Sequence, residues 1–190
     1  MNENGQIKRD TRAEMEAEVA VCRSLFEKKT RDYGTSWRIL RLPSLTDQIF
    51  IKANRIRSVQ ESGENRVGDG VRGEFVAMVN YAVMGLILND ERGTKIDDLE
   101  LPLEKAMALY DSQMKRVLDL MMDKNHDYGE AWRQMRISSM VDLILMKLLR
   151  IKQIEDNDGK TLVSEGVEGG YMDIINYSLF SLVRLTEEGE

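Results

Sequence analysis

Two cations set three residues apart, Lys147 and Arg150, interrupt a stretch from Val141 to Ile151 that is otherwise almost entirely apolar. At helical spacing they project from one face, and charges on an apolar helix are costly to bury unless something anionic meets them. The partner can be a ligand phosphate, which arginine grips with two parallel hydrogen bonds and lysine attracts as a point charge. It can equally be an internal acid such as Asp142 or Asp173, or one from elsewhere in the chain. Lys52 and Arg55 repeat the arrangement. Oxygen donors for a cation are available in Glu165, Glu168 and Asp173, and Mg²⁺ typically takes one or two carboxylates plus substrate phosphates. Acids at a helix start also favour its dipole with no metal present. Asn176 follows Asp173 by one turn, on a face expected to look toward the same interior as Lys147 and Arg150.

Aromatic side chains stand close to these groups in sequence. Tyr128 and Trp132, like Tyr33 and Trp37, can stack on a nucleobase or anchor a loop in the core. His126 is the single histidine and has no second histidine or cysteine nearby. It reads as a cation at a helix C-terminus rather than a general base. The single cysteine, Cys22, excludes an internal disulfide and a cysteine metal cluster.

The elements that position these residues occur twice. Asp32-Tyr33-Gly34, Trp37, Arg38, Arg41, Ser44, Asp47, Lys52, Arg55 and Ile56 recur 95 residues later as Asp127-Tyr128-Gly129, Trp132, Arg133, Arg136, Ser139, Asp142, Lys147, Arg150 and Ile151. After a one-residue slip, Gly70, Val71, Asn80 and Tyr81 recur as Gly166, Val167, Asn176 and Tyr177. Such self-similarity outranks local signals and marks a tandem duplication. The copies differ at the acids: Asp173 aligns with Ala77, Glu168 with Arg72, Glu165 with Asp69, and Glu74 with Gly170. If carboxylates hold a metal, the second copy is the better host.

Apolar periodicity predicts three main helices per copy and no strands. Met15, Val19, Cys22 and Phe26 form one stripe; Met107, Tyr110, Met114, Val117 and Met121 form its counterpart. Gly34 and Gly129 are placed to stop those helices. A short helical turn around each tryptophan follows, and Ser44 and Ser138 or Ser139 are expected to cap the second helices. The second helix of the latter half is apolar on nearly every side and is expected at the middle of the bundle. The predicted architecture is all-α, a helical bundle from two tandem three-helix repeats related by a pseudo-two-fold. Residues 1–9 form a disordered N-terminus, 10–89 the first repeat, 90–101 a linker and 102–188 the second repeat. Each copy is too short for a large core of its own, so the two are expected to share one.

A net charge of −6 and a pI near 5.1 argue against general nucleic-acid binding, which shows a basic footprint. No run reads as a membrane span, because Asp142, Lys147 and Arg150 break the best candidate. The N-terminus lacks the basic and apolar regions of a signal peptide, so a cytoplasmic protein is expected, with homo-oligomerisation open.

Asp127-Tyr128-Gly129-x-x-Trp132, Lys147-x-x-Arg150-Ile151 and Asp173-Ile174-Ile175-Asn176-Tyr177 resemble the family called nucleotide modification associated domain, first type. That resemblance implies a link to nucleotide or modified-base metabolism. More distantly, the chain is similar to the all-α nucleoside triphosphate pyrophosphatases of the MazG and dimeric dUTPase kind, which hold Mg²⁺ with glutamates and aspartates. Their Glu-Glu-x-x-Glu and Glu-x-x-Asp signatures are not present in strict form; Glu165-x-x-Glu168 followed by Asp173 is a loose substitute. The expected function is binding of a small-molecule nucleotide, with Mg²⁺-dependent nucleoside triphosphate hydrolysis as its enzymatic extension. Lys147, Arg150, Tyr128, Trp132, Asn176, Lys52 and Arg55 would meet the ligand; Glu165, Glu168 and Asp173 would meet the metal. The competing expectation is a non-catalytic helical module whose charges form a buried structural network.

Overall fold

The computed structural model describes residues 10–63, 70–92, 99–161 and 166–189. Asp10 opens the first helix, its carboxylate accepting from the Ala13 amide at 3.1 Å. Six helices follow: α1 (Thr11–Tyr33), α2 (Leu42–Ser62), α3 (Val71–Asp90), α4 (Leu103–Tyr128), α5 (Ile137–Asp156) and α6 (Gly166–Glu188). Short 3₁₀ turns at Ser36–Ile39 and Ala131–Gln134 carry the two tryptophans, and no strand occurs among the described residues. The proposed N-terminal segment 1–9 and the middle of the linker lie outside the described residues.

Both first helices end where the Tyr-Gly pairs stand. Gly129 takes the left-handed conformation, with φ +60° and ψ +39°, and its amide bonds back to Asn125 O. The second helices, by contrast, start earlier than the serines suggest. Arg41 and Arg136 occupy the capping positions without a side-chain hydrogen bond, and the serines fall inside the first turn. Pro43 sits in that first turn too, where its missing N–H is no loss.

α3 and α6 lie against each other at the centre. α2 packs on α3, α5 packs on α6, and α2 meets α5 to close a four-helix ring. On the remaining side α1 and α4 pair, each touching both central helices. Every contact has its mate, α1 on α6 matching α4 on α3, as a pseudo-two-fold requires. The buried core runs without a break through both repeats, from Phe26, Ile49 and Phe75 to Ile144, Tyr171 and Leu182. α5 is therefore not the middle of the bundle: its Met146 and Leu149 face solvent, and the helices buried on most sides are α3 and α6. Contrary to the expectation that no run reads as a membrane span, α3 is long and apolar enough to cross a membrane by length and composition. Of its apolar window 67% is buried inside the bundle.

Candidate functional site

Each repeat folds a cavity between the last turns of its first helix, its 3₁₀ turn and the middle of its third helix. The second-repeat cavity encloses about 430 Å³. Met121, Met135 and Phe180 supply its apolar wall, Tyr128 and Tyr177 its aromatic rim, and Lys124, Asp173 and Asn176 its polar groups. The first-repeat cavity encloses about 400 Å³ and uses the corresponding positions, with Lys29 for Lys124, Tyr33 for Tyr128, Trp37 for Trp132 and Asn80 for Asn176. Ala77 stands where the second cavity has Asp173.

The wall formed by Trp132 is built from the chain turn at Gly129. The turn carries Trp132 back over α4, where its indole N–H donates to Asn125 Oδ1 at 3.0 Å. Phe180 stacks on the indole with centroids 4.6 Å apart and planes 8° from parallel. The Arg133 guanidinium lies 4.3 Å from the same ring centre. Arg133 is itself anchored by Glu130 at 2.7 Å, Glu187 at 2.9 Å and Glu14. Two groups this near one centroid leave no open ring face, so Trp132 offers a ligand only its edge. Tyr128, 75% exposed, keeps its ring free for stacking.

Charge in this cavity is concentrated at Asp173. Its Oδ2 lies 2.5 Å from Lys147 Nζ and its Oδ1 3.7 Å from Lys124 Nζ. Partial burial and the Asp173 charge together push the Tyr177 phenol above its ordinary range. Asn176 shows the sharpest difference between the copies. In the first repeat Asn80 Nδ2 donates to Cys22 O at 3.0 Å, and Tyr110 donates to Asn80 Oδ1 at 2.9 Å. The pseudo-two-fold places Met15 where Tyr110 would have to be for Asn176. Methionine cannot donate, and the buried Asn176 Oδ1 has no partner among the described residues.

The predicted residues separate accordingly. Tyr128, Trp132, Asn176 and Asp173 meet in the second cavity, and Lys147 reaches its edge through Asp173. Arg150 does not join them; it is exposed on α5 and forms no ion pair with a described residue. Lys52 and Arg55 both pair with the buried Glu74, Lys52 at 3.1 Å, away from the first cavity. These pairs are the internal acids that the sequence reading held open, although the acids are Glu74 and Asp173 rather than Asp142, which faces Arg57 at 3.7 Å. Glu168 pairs with Arg116 on α4, and Glu165 lies outside the described residues. No group of three or more acids, histidines or cysteines capable of holding a metal occurs among the described residues. Of the acids named for a metal, Glu168 faces Arg116, and Asp173 faces Lys147 and Lys124. His126 is exposed beside Asp127, and burial pushes the Cys22 thiol up to about 12, so neither is poised for catalysis.

Sequence reasoning overlooked Lys124, Asn125 and Phe180. A lysine on a helix reads as a solvated face, and only its recurrence with Lys29 at the repeat spacing marks it.

A duplicated six-helix bundle with an equivalent cavity in each copy is thus the class of protein that fold and site define. The chain belongs to the nucleotide modification associated domain 1 family, whose model matches residues 29–88 and again residues 124–185. Both matches begin at the cavity lysines, Lys29 and Lys124. No curated protein and no solved structure matches the chain.

Proposed function

We propose that this is a cytoplasmic nucleotide-binding protein of nucleotide or modified-base metabolism, with its site in the second-repeat cavity. The observation that carries the reading is Asn176. Leaving a buried acceptor unpaired costs about 1–3 kcal/mol, a cost that a ligand can remove. A primary amide offers one donor and one acceptor side by side, the complement of a nucleobase edge. Tyr128 supplies a stacking surface at the rim, and about 430 Å³ lies within the size range of small-molecule sites.

Phosphate would be drawn by Lys124 and Lys147, with Asp173 released from them as the anion enters. Mg²⁺ in this reading arrives with the nucleotide, and the released Asp173 is the described carboxylate free to meet it. Nucleoside triphosphate hydrolysis is the enzymatic form of the proposal, and family membership supports the nucleotide link without naming a reaction. The second reading, a non-catalytic module, is favoured by one observation: Lys52, Arg55 and Lys147 already have acid partners within the fold.

A thermal-shift series with nucleoside mono-, di- and triphosphates, each with and without Mg²⁺, separates the two. A ligand at 100 times its Kd adds about 2.7 kcal/mol to the folded state. A nucleotide should raise the Tm of the wild type, and Lys147→Ala should reduce that shift while costing at most about 1 kcal/mol itself, its pair being part-exposed. A flat series at millimolar ligand removes the nucleotide reading.

A further inference from the structure

The bundle presents different chemistry on its two outer sides. α2 packs on α3 and α5, and α5 on α6, so α2 and α5 together form an outer layer. On its outward side Ile51 of α2 and Met146 and Leu149 of α5 face solvent, 56%, 37% and 53% exposed. Ile51 and Met146 are the same position in the two copies, 95 residues apart. The opposite layer, α1 with α4, exposes Val21 and Leu120, but among ion pairs of Arg12 with Glu16, Arg23 with Asp111 and Lys115 with Asp119. Exposed apolar side chains grouped on one face and rimmed by polar ones mark an interaction surface.

Charge decides what this surface fits. Asp47 of α2 faces Lys152 of α5 at 2.6 Å, and Arg57 of α2 faces Asp142 of α5 at 3.7 Å. The two pairs are images of each other in the repeat. They set α2 and α5 antiparallel, with Ile51 near the level of Leu149. Acid and base therefore alternate around the four corners of the patch. A second copy laid face to face, about a two-fold in the interface along or across the helices, puts every acid on a base. The apolar centre then meets its own copy. No single-sign field is present on this face to draw a nucleic acid or an anionic membrane. The four corner charges also cancel, in a chain whose net charge is −6. Helices of 21 and 20 residues are about 30 Å long and about 10 Å wide, so the pair presents roughly 600 Å². That is close to the roughly 800 Å² each partner buries in a stable interface.

We infer that the outer face of α2 and α5 docks on the same face of a second copy, forming an isologous dimer centred on Ile51, Met146 and Leu149. Neither cavity is lined by a residue of α2 or α5, so both stay open in the dimer, and the inference stands or falls apart from the nucleotide reading.

Sedimentation of the full chain over a range of concentrations tests it. The wild type should pass from 21.8 kDa to twice that mass. Ile51→Glu with Met146→Glu puts carboxylates at the centre of the interface and should raise the dissociation constant at least tenfold. Both side chains are exposed, so the far-UV spectrum should not change. Asp47→Lys with Asp142→Lys makes all four corners cationic and should weaken the dimer at least tenfold as well. Leu120→Glu, on the opposite layer, should leave the constant where it was. A wild type that stays at 21.8 kDa up to about 100 µM overturns the inference, since interfaces of this area bind in the µM range or tighter. A dimer that survives the Ile51 and Met146 substitutions, is lost in Leu120→Glu, or is indifferent to the corner charges overturns it too.

Discussion

The contrast between Asn80 and Asn176 yields a test in which the same substitution should have opposite signs. Both residues are buried at 6% exposure, both line a cavity of similar size, and they occupy equivalent turns of α3 and α6. Asn80→Leu strips the acceptor from Tyr110, which is fully buried, and the donor from Cys22 O. The Cys22 carbonyl keeps its place in the α1 ladder, so most of the loss falls on the tyrosine hydroxyl. The expected cost is about 2–4 kcal/mol for the orphaned group and the lost bonds. Asn176→Leu removes an atom that had no partner and should stabilise by about 1 kcal/mol. The two variants should therefore differ by at least about 3 kcal/mol, on the order of 6–12 °C in Tm for a chain of this size. Chemical denaturation followed by circular dichroism measures both, and nucleotide-induced shifts on the same samples show whether the more stable variant has lost binding. A gain in stability accompanied by loss of binding is the pattern expected of a functional polar group. Equal losses at the two positions would mean that Asn176 is satisfied in solution, and the case for the second cavity would fall with it.

Two further outcomes follow from packing and charge. Gly73→Ala, whose new Cβ would meet nothing within 4 Å, should stabilise α3 by about 0.5–1 kcal/mol in thermal unfolding. Gly85→Ala on the same helix would put Cβ 2.9 Å from the Tyr171 ring, and should instead cost about 1–3 kcal/mol. Burial holds the Glu155 carboxyl above its ordinary range even though Thr46 donates to it at 2.8 Å. A raised acid pKa means that the folded state binds more protons, so this group lowers stability as pH rises through the folded value. Glu155→Gln should accordingly raise the Tm at pH 7, and the gain should fade as the pH falls below the ordinary glutamate range. A gain of the same size at pH 4 would rule out ionisation as its cause.

The sequence carried most of the fold because duplication prints each structural signal twice. Both Tyr-Gly stops, both tryptophan turns and the helix order follow from the aligned copies, and the core stripe of α1 was visible in the spacing of Met15, Cys22 and Phe26. Burial of the second helices was not legible. Met146 and Leu149 are as apolar as the residues beneath them, yet they face solvent, and composition does not say which side of a uniformly apolar helix is covered. The candidate cavity is half legible. Tyr128, Trp132, Asp173 and Asn176 come from one repeat and stand out by residue type and spacing, but the partners of Lys52 and Lys147 depend on which turn of the neighbouring helix carries the acid.

That difference of one turn has a packing cause with consequences for function. In the first repeat the acid is Glu74, which holds Lys52 and Arg55 and stands off from the cavity. The equivalent of Glu74 is Gly170, where a Cβ would approach Ile151 Cγ1 to 2.7 Å. A side chain at that position would have to displace Ile151 of α5, so glycine stands there and Lys147 takes its acid from elsewhere. It finds Asp173, nearly one turn further along α6, at a position that faces the cavity. A close helix contact therefore moves a structural ion pair into the wall of the second cavity, while the first copy keeps its pair outside and leaves Lys29 without an ion pair among the described residues. Because the core contacts on the pseudo-two-fold are shared and the cavity walls belong to single copies, substitutions of this kind alter one cavity without disturbing the other.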